Sequence, residues 1–178
     1  MAILPIIRLG HPALRKKSRA VTKKELHTAQ FQKFLHSLAE TCLKAHGAGI
    51  AAPQVAVNKR VIVVHVDPRN PRYPKQKSFP LTIVINPRIT DASKKLGEGW
   101  EGDLSANVRG MVPRALSCTV AGLDSNGNKV TYNLRGFPAR VFQHEIDHLN
   151  GIFLIDRVKR LETLSETAEW QKYWVHRK

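Results

Sequence analysis

Apolar residues recur at helical spacing in two stretches of the chain, which predicts two amphipathic helices. The first stretch has apolar side chains at positions 31, 34, 35, 38, 42 and 43. It follows a capping-box sequence at 22–25, and we expect Gly47 to end it. The second begins near Pro138, a residue suited to a first helical turn, and ends at Asn150-Gly151. Its apolar side consists of Val141, Phe142, Ile146 and Leu149.

Runs rich in β-branched residues predict strands at 60–66 and 81–85, and Asn86-Pro87 is expected to end the second. Residues 117–123 and 130–134 flank a turn at 124–127, which predicts a β-hairpin. Four prolines between positions 67 and 80 indicate a surface loop. The glycine-rich segment 97–114 predicts irregular structure. The chain is therefore expected to contain both helices and strands.

The length of 178 residues and a hydrophobic content of 42% suit one domain with a buried core. We expect that domain at 1–160, followed at 161–178 by a polar, helical tail that carries Trp170 and Trp174. Cys42 and Cys118 lie far apart in apolar settings. This placement argues against a disulfide framework and favours buried thiols or a reducing compartment.

The formal net charge of +15 favours an anionic neighbour, such as nucleic acid, the ribosome or a membrane surface. The cations form short clusters without interleaved aromatic residues or a nucleic-acid-binding motif, which is typical of solvated faces. No run approaches the roughly 18 apolar residues that a membrane span needs, and the start lacks a signal-peptide pattern. We expect a cytoplasmic protein with no membrane contact, or an organelle-matrix protein whose transit peptide has been removed.

Candidate chemistry centres on the second helix, where His144, Glu145 and His148 form an H-E-x-x-H sequence. Positions i and i+4 share one helix face, so the two imidazoles can bind one metal ion. In such sites, a glutamate after the first histidine acts as the base for the attacking water. The alternative is a pair of surface histidines on a charged helix face.

Three segments together resemble the motifs of peptide deformylases, in the order and at the separations of that family. Residues 47–54 resemble G-x-G-x-A-A-x-Q, 101–105 resemble E-G-C-x-S, and 143–148 resemble Q-H-E-x-D-H. The resemblance covers nearly the whole chain and is weakest after Arg160. By itself, the segment 47–54 would equally suit a helix-to-strand connector.

The resemblance implies an α+β fold with antiparallel sheets around a central helix carrying the H-E-x-x-H, which agrees with the pattern above. It also implies removal of the N-formyl group from nascent polypeptides that begin with formyl-methionine. The cofactor would be one divalent metal ion, Fe²⁺ by preference, with Zn²⁺, Ni²⁺ or Co²⁺ as replacements. We expect a monomer whose basic surface could meet the ribosome.

The roles of individual residues also follow from the resemblance. His144 and His148 would bind the metal ion, and Glu145 would move the proton. The Gln54 amide and the Leu104 backbone N–H would stabilise the oxyanion, and Gly49 would hydrogen-bond the substrate backbone. The expected methionine-pocket residues are Ile50, Phe137 and Val141. Beyond the resemblance, Glu101 is a candidate to support the site and Arg114 to pair with it, with two surface ions as the alternative. Asp147 is a candidate to hold a neighbouring backbone group or an arginine.

The sequence departs from the family at Asp103, where the metal-binding cysteine is expected. The following segment also lacks the usual hydrophobic-proline step and is about one residue shorter. An aspartate is a harder donor than a thiolate, and two histidines with one carboxylate also form a known metal-ligand set. Three explanations of Asp103 stay open: a working third ligand, a loss-of-function change in a natural homologue, or an engineered substitution.

Three other functions compete with deformylation. A catalytically impaired homologue would bind formylated peptides or ribosomes, although it would not need Glu145 and Gln54. A general metallopeptidase would not need the segments at 47–54 and 101–105. An oxygenase built on two histidines and a carboxylate would leave the general-base glutamate without a role.

Overall fold

The helix that carries the two histidines is buried along most of its length at the centre of a computed structural model, which describes residues 2–70 and 76–175. The helices are α1 (Lys23–Leu26), α2 (Ala29–Lys44), α3 (Gly136–Leu149) and α4 (Thr167–Tyr173). The strands are β1 (Gly49–Ala51), β2 (Val61–Val66), β3 (Phe79–Ala92), β4 (Leu96–Gly102), β5 (Val108–Ala115), β6 (Ser117–Leu123), β7 (Lys129–Arg135) and β8 (Ser165–Glu166). Short 3-10 turns connect several of these elements.

Two antiparallel sheets surround α3. The larger sheet has the strand order β1-β2-β3-β6-β7, and the smaller has the order β4-β5-β8. Helix α3 contacts strands of both sheets, while α2 covers β1, β2 and β3. One apolar cluster lies around α2 and a second around α3. Strands β1 and β2 contribute core residues to both clusters. The predicted α+β fold is confirmed.

The capping box predicted at 22–25 starts a separate short helix. Thr22 Oγ1 accepts a hydrogen bond of 3.2 Å from the Glu25 N–H and caps α1. Thr28 Oγ1 accepts one of 3.3 Å from the Phe31 N–H and caps α2. The long amphipathic helix therefore begins at Ala29 and ends at Lys44, before Gly47.

The prediction of irregular structure at 97–114 was wrong, since β4 and β5 pair in register from Leu96 opposite Ala115 to Gly102 opposite Arg109. Glycines lower the strand propensity of β4, but pairing with β5 satisfies its backbone. Strand β3 also continues past Asn86-Pro87, where its pairing with β6 shifts register. Asn86 has a φ of 51° there, and its side chain binds both backbone polar groups of Val21 at 2.8 Å.

The C-terminal tail is helical only in part. Residues 161–163 form a 3-10 turn, β8 pairs with β5, and α4 follows. Trp170 and Trp174 pack on Trp100, with ring centroids 6.0 and 5.2 Å apart. Residues 176–178 of the predicted helix and 71–75 of the predicted proline-rich loop lie outside the described residues. Within the described ranges, no helix combines the length and apolar character that a membrane crossing requires.

Candidate active site

Helix α3 places the two histidines of the H-E-x-x-H one turn apart on the same face. The Nε2 atoms of His144 and His148 lie 3.2 Å apart, and both residues are buried. The Nδ1 atom of His144 lies 2.9 Å from Oε2 of Glu101. A proton on that Nδ1 satisfies Glu101 and leaves the Nε2 lone pair directed at the site, as in the carboxylate-histidine pairs of metal centres.

Asp103 reaches the same point from the loop between β4 and β5. Its Oδ2 lies 3.0 Å from His148 Nε2 and 3.5 Å from His144 Nε2. Its Oδ1 accepts hydrogen bonds of 2.9 Å from Gln54 Nε2 and 2.7 Å from the Ser105 N–H. These two donors fix the carboxylate so that Oδ2 faces the histidines.

These three atoms fit a small divalent cation. Ligand atoms at 2.0–2.1 Å from a tetrahedral ion stand about 3.4 Å from one another, close to the three separations above. The Oδ2 atom of Asp103 is buried and accepts no conventional hydrogen bond from the described residues. A buried carboxylate oxygen without a donor is costly, and a cation between it and two imidazole lone pairs removes that cost.

The charges around the site form a buried network. Burial alone would raise the pKa of Glu101, but hydrogen bonds from His144 and Arg114 lower it to about 2. The Arg114 guanidinium binds both oxygens of Glu101 at 3.0 Å and also pairs with Asp147, which pairs in turn with Arg157. This network anchors the residue that orients His144.

The same competition between burial and charge acts on the ligand residues. Burial alone would raise the pKa of Asp103, but the rings of His148 and His144 hold it well below its usual range. Burial alone would lower the pKa of His144, but the nearby carboxylates of Asp103 and Glu101 raise it well above its usual value. The site thus strongly favours an anionic Asp103 carboxylate that faces a positively charged group.

Glu145 is the remaining carboxylate of the site. It is buried, and its Oε2 has no hydrogen-bond partner among the described residues. Burial raises the pKa of Glu145 to about 7, against the attraction of His144 and His148. Gly49 packs directly on it, because a Cβ at position 49 would stand 2.5 Å from Glu145 Oε1.

One cavity brings most of the candidate residues together. It is lined by Gly49, Gln54, Asp103, Leu104, Phe137, Val141, His144 and Glu145. His148 lies behind His144 and packs edge-on against Phe153. Ile50 is fully buried in the apolar cluster around α2, outside the lining of this cavity.

Two further lining residues lie outside the three motif segments and were absent from the sequence-based candidates. Trp100 precedes Glu101 on β4, and Arg140 lies on α3 one turn before His144. The spacing of four residues between Arg140 and His144 was a usable signal, because it places both on one helix face. Trp100 gave no such signal, since its strand was not predicted.

The fold and this site define a metal-dependent hydrolase of the H-E-x-x-H type. Residues 3–164 match the family model for polypeptide deformylase. The chain belongs to the peptide deformylase family. Its enzymatic function is therefore the removal of N-formyl groups, and an impaired binding protein is not favoured.

Relatives cover nearly the whole chain. Peptide deformylase 2 of Nostoc sp. is 45% identical over 172 residues, which cover 96% of this chain and 94% of that protein. Peptide deformylase 1 of Nitrosomonas europaea is 37% identical over 166 residues, covering 93% of each. A Met-Ala-Ser-bound crystal structure of class I type b peptide deformylase from Acinetobacter baumannii has a TM-score of 0.85 and 39% identity, covering 88% of this chain and 99% of that one.

Proposed function

We propose that this deformylase hydrolyses the formyl amide of N-formylmethionyl peptides with one divalent metal ion held by Asp103, His144 and His148. The observation that carries the proposal is the position of Glu145. Its buried carboxylate, with an unpartnered Oε2, shares one cavity with Asp103 and His144. A base and a metal-ligand set in the same cavity are what hydrolysis of an amide by water requires.

Asp103, His144 and His148 would hold the divalent ion, which would supply Lewis acidity that acidifies water and polarises a carbonyl oxygen. Glu145 accepts the proton released as water attacks the formyl carbon. It then gives this proton to the amine nitrogen as the carbon–nitrogen bond breaks. A carboxyl group with a pKa of about 7 can accept and return a proton near neutral pH.

The negative charge on the formyl oxygen would be stabilised by the Gln54 amide and the Leu104 backbone N–H, which both border the cavity. Gly49 would bind the peptide backbone from β1. Phe137 and Val141 would contact the methionine side chain. Ile50, on β1, would support this pocket indirectly, because its own side chain is packed in the core.

Iron(II) is the proposed metal, with Zn²⁺, Ni²⁺ and Co²⁺ as alternatives. The carboxylate of Asp103 is a harder donor than a thiolate, and two histidines with one carboxylate suit Fe²⁺. The ion would bind with the Asp103 carboxylate already anionic, since its pKa is held well below the usual range.

The proposed partners are nascent peptides bearing formyl-methionine, met in the cytoplasm or in an organelle matrix. The net charge of +15 supports an encounter with the ribosome, whose RNA is anionic. We propose that the chain acts as a monomer, with the segment 1–160 as the catalytic domain and 161–178 as a docked tail.

The deciding experiment compares the chain with its Asp103→Cys and Glu145→Gln variants on formyl-Met-Ala-Ser. Each is reconstituted anaerobically with Fe²⁺, and bound metal is quantified. We expect turnover by the chain with one metal ion per molecule, and loss of turnover with retained metal in Glu145→Gln. Turnover by Asp103→Cys alone would refute Asp103 as a working ligand.

A further inference from the structure

Arg140 lies between two cavities. The active-site cavity, with a volume of about 40 Å³, and a neighbouring cavity of about 390 Å³ are both lined by Trp100, Phe137 and Arg140. The neighbouring cavity extends towards the tail, where Trp170 forms part of its wall. The Arg140 side chain is therefore part of the partition between them.

The guanidinium is held firmly in this position. Its Nη1 donates to Glu101 Oε1 at 2.8 Å and to the Val112 carbonyl at 2.7 Å. The Nη2 donates to the Gly97 carbonyl at 2.7 Å, and Nη1 also lies 3.3 Å from the Gly99 carbonyl. A planar group held by several acceptors is a fixed wall, unlike the mobile end of an exposed arginine.

The absence of a side chain at Gly99 makes room for the Arg140 guanidinium. A Cβ at position 99 would stand 3.0 Å from the Cζ atom of Arg140, which is closer than side chains normally pack. The guanidinium thus lies where a side chain of β4 would otherwise border the cavity. Position 99 and position 140 together set how far the cavity extends.

The charge of Arg140 is partly balanced within the protein by Glu101, a carboxylate that also pairs with Arg114. Glu101 lies beside it, and the side chain of Arg140 is only 14% exposed. An arginine whose donors are occupied by a carboxylate and carbonyls offers little attraction to an anionic substrate group. The Arg140 guanidinium therefore limits the cavity by its shape, and the cavity suits an uncharged substrate side chain.

We propose that Arg140 is a specificity-determining residue, whose guanidinium closes the substrate side-chain pocket and excludes side chains longer than methionine. The proposal rests on the deformylase function proposed above and adds a residue that limits which side chain is accepted. Removing the guanidinium would join the pocket to the neighbouring cavity, so that a longer apolar side chain gains a place to bind. Pocket shape changes of this kind alter selectivity by about tenfold or more.

The test compares formyl-Met-Ala-Ser with formyl-homophenylalanyl-Ala-Ser on the metal-loaded chain and on its Arg140→Ala, Arg140→Met and Arg135→Ala variants. The measured quantity is the ratio of kcat/KM for the two peptides, which does not depend on the active fraction of a preparation. Arg140→Met retains an apolar stem and guards against a folding defect in Arg140→Ala. Arg135 is the exposed last residue of β7, directly before α3, and lines neither cavity in the described structure.

We expect Arg140→Ala to raise the homophenylalanyl-to-methionyl ratio at least tenfold, Arg140→Met to raise it less, and Arg135→Ala to leave it unchanged. Ratios within twofold of the parent in both Arg140 variants would overturn the proposal. Calorimetric titration with the product peptides Met-Ala-Ser and homophenylalanyl-Ala-Ser gives a second ratio, that of their affinities, which should change in the same direction. Lack of turnover by the parent chain would count against the proposed function, while these affinities would still decide the role of Arg140.

Discussion

The side-chain amide of Gln54 donates a 2.9 Å hydrogen bond to Oδ1 of Asp103, joining the proposed oxyanion donor to the proposed metal ligand. The other N–H of the amide faces Ser105 Oγ at 3.3 Å, and its oxygen accepts a 2.8 Å bond from the Ala51 N–H. A thiolate at position 103 would be a weaker hydrogen-bond acceptor than this carboxylate. Gln54 is therefore expected to support Asp103 as well as the reaction.

Replacement of Gln54 by alanine tests both roles at once. We expect metal affinity to fall about tenfold, because Asp103 loses a donor that orients it. We expect kcat to fall about a hundredfold even at saturating metal, because an oxyanion donor is lost. Chelator competition gives the affinity and steady-state kinetics give kcat, with the exposed Gln30→Ala as control. Full recovery of kcat at saturating metal would rule out the oxyanion role.

Replacement of Gly49 by alanine tests the packing of the general base. The new methyl would stand 2.5 Å from Glu145 Oε1, so the carboxylate must move. We expect kcat to fall at least tenfold with metal content unchanged, since a displaced base transfers protons poorly. Gly97→Ala is the matched control, because its methyl meets only the flexible Leu116 side chain. Unchanged kcat in Gly49→Ala would contradict the assigned role of Glu145.

The lowered pKa of Glu101 predicts a pH dependence of stability. With a folded-state pKa of about 2 against an ordinary 4.5, the folded state binds this proton less readily than the unfolded state. The stabilisation is therefore fully present above the ordinary pKa and is lost as pH falls from there through about 2. Urea unfolding of the parent and Glu101→Gln between pH 3 and pH 6 measures it. The difference in unfolding free energy should shrink as pH falls, and a constant difference would contradict the assignment.

Thiol reagents should leave the enzyme active. Burial raises the pKa of the Cys42 thiol strongly and that of Cys118 to about 11, and thiols with raised pKa values react slowly. Iodoacetamide at pH 8 is expected to cause no loss of turnover in the parent. Metal-free Asp103→Cys that is treated with the reagent and then reloaded with metal should have lost its turnover. Turnover assays measure the activity that remains, and mass spectrometry identifies which cysteines have been alkylated. Inactivation of the parent with labelled Cys42 would show that the core opens readily.

Sequence patterns predicted much of this fold because the signals are local. Strand β2, the hairpin of β6 and β7, and α3 were all placed by periodicity and turn residues. Strand β4 was missed, since its glycines suppress the local signal and only pairing with β5 makes it a strand. The extension of β3 past Pro87 was missed for a related reason, because residues 88–92 become strand by pairing with the distant β6.

By itself, the sequence determined the spacing of His144 and His148, the presence of Glu145 between them, and the aspartate at position 103. Tertiary structure decided which groups contact these residues: Glu101 hydrogen-bonds His144, and Gln54 hydrogen-bonds Asp103. It also placed Arg140 in the space beside Gly99. It also placed Ile50 in the core rather than along the cavity. Helical periodicity fixes neighbours one turn apart, whereas these partners are separated by about 40 residues or more and meet only when the sheets close around α3.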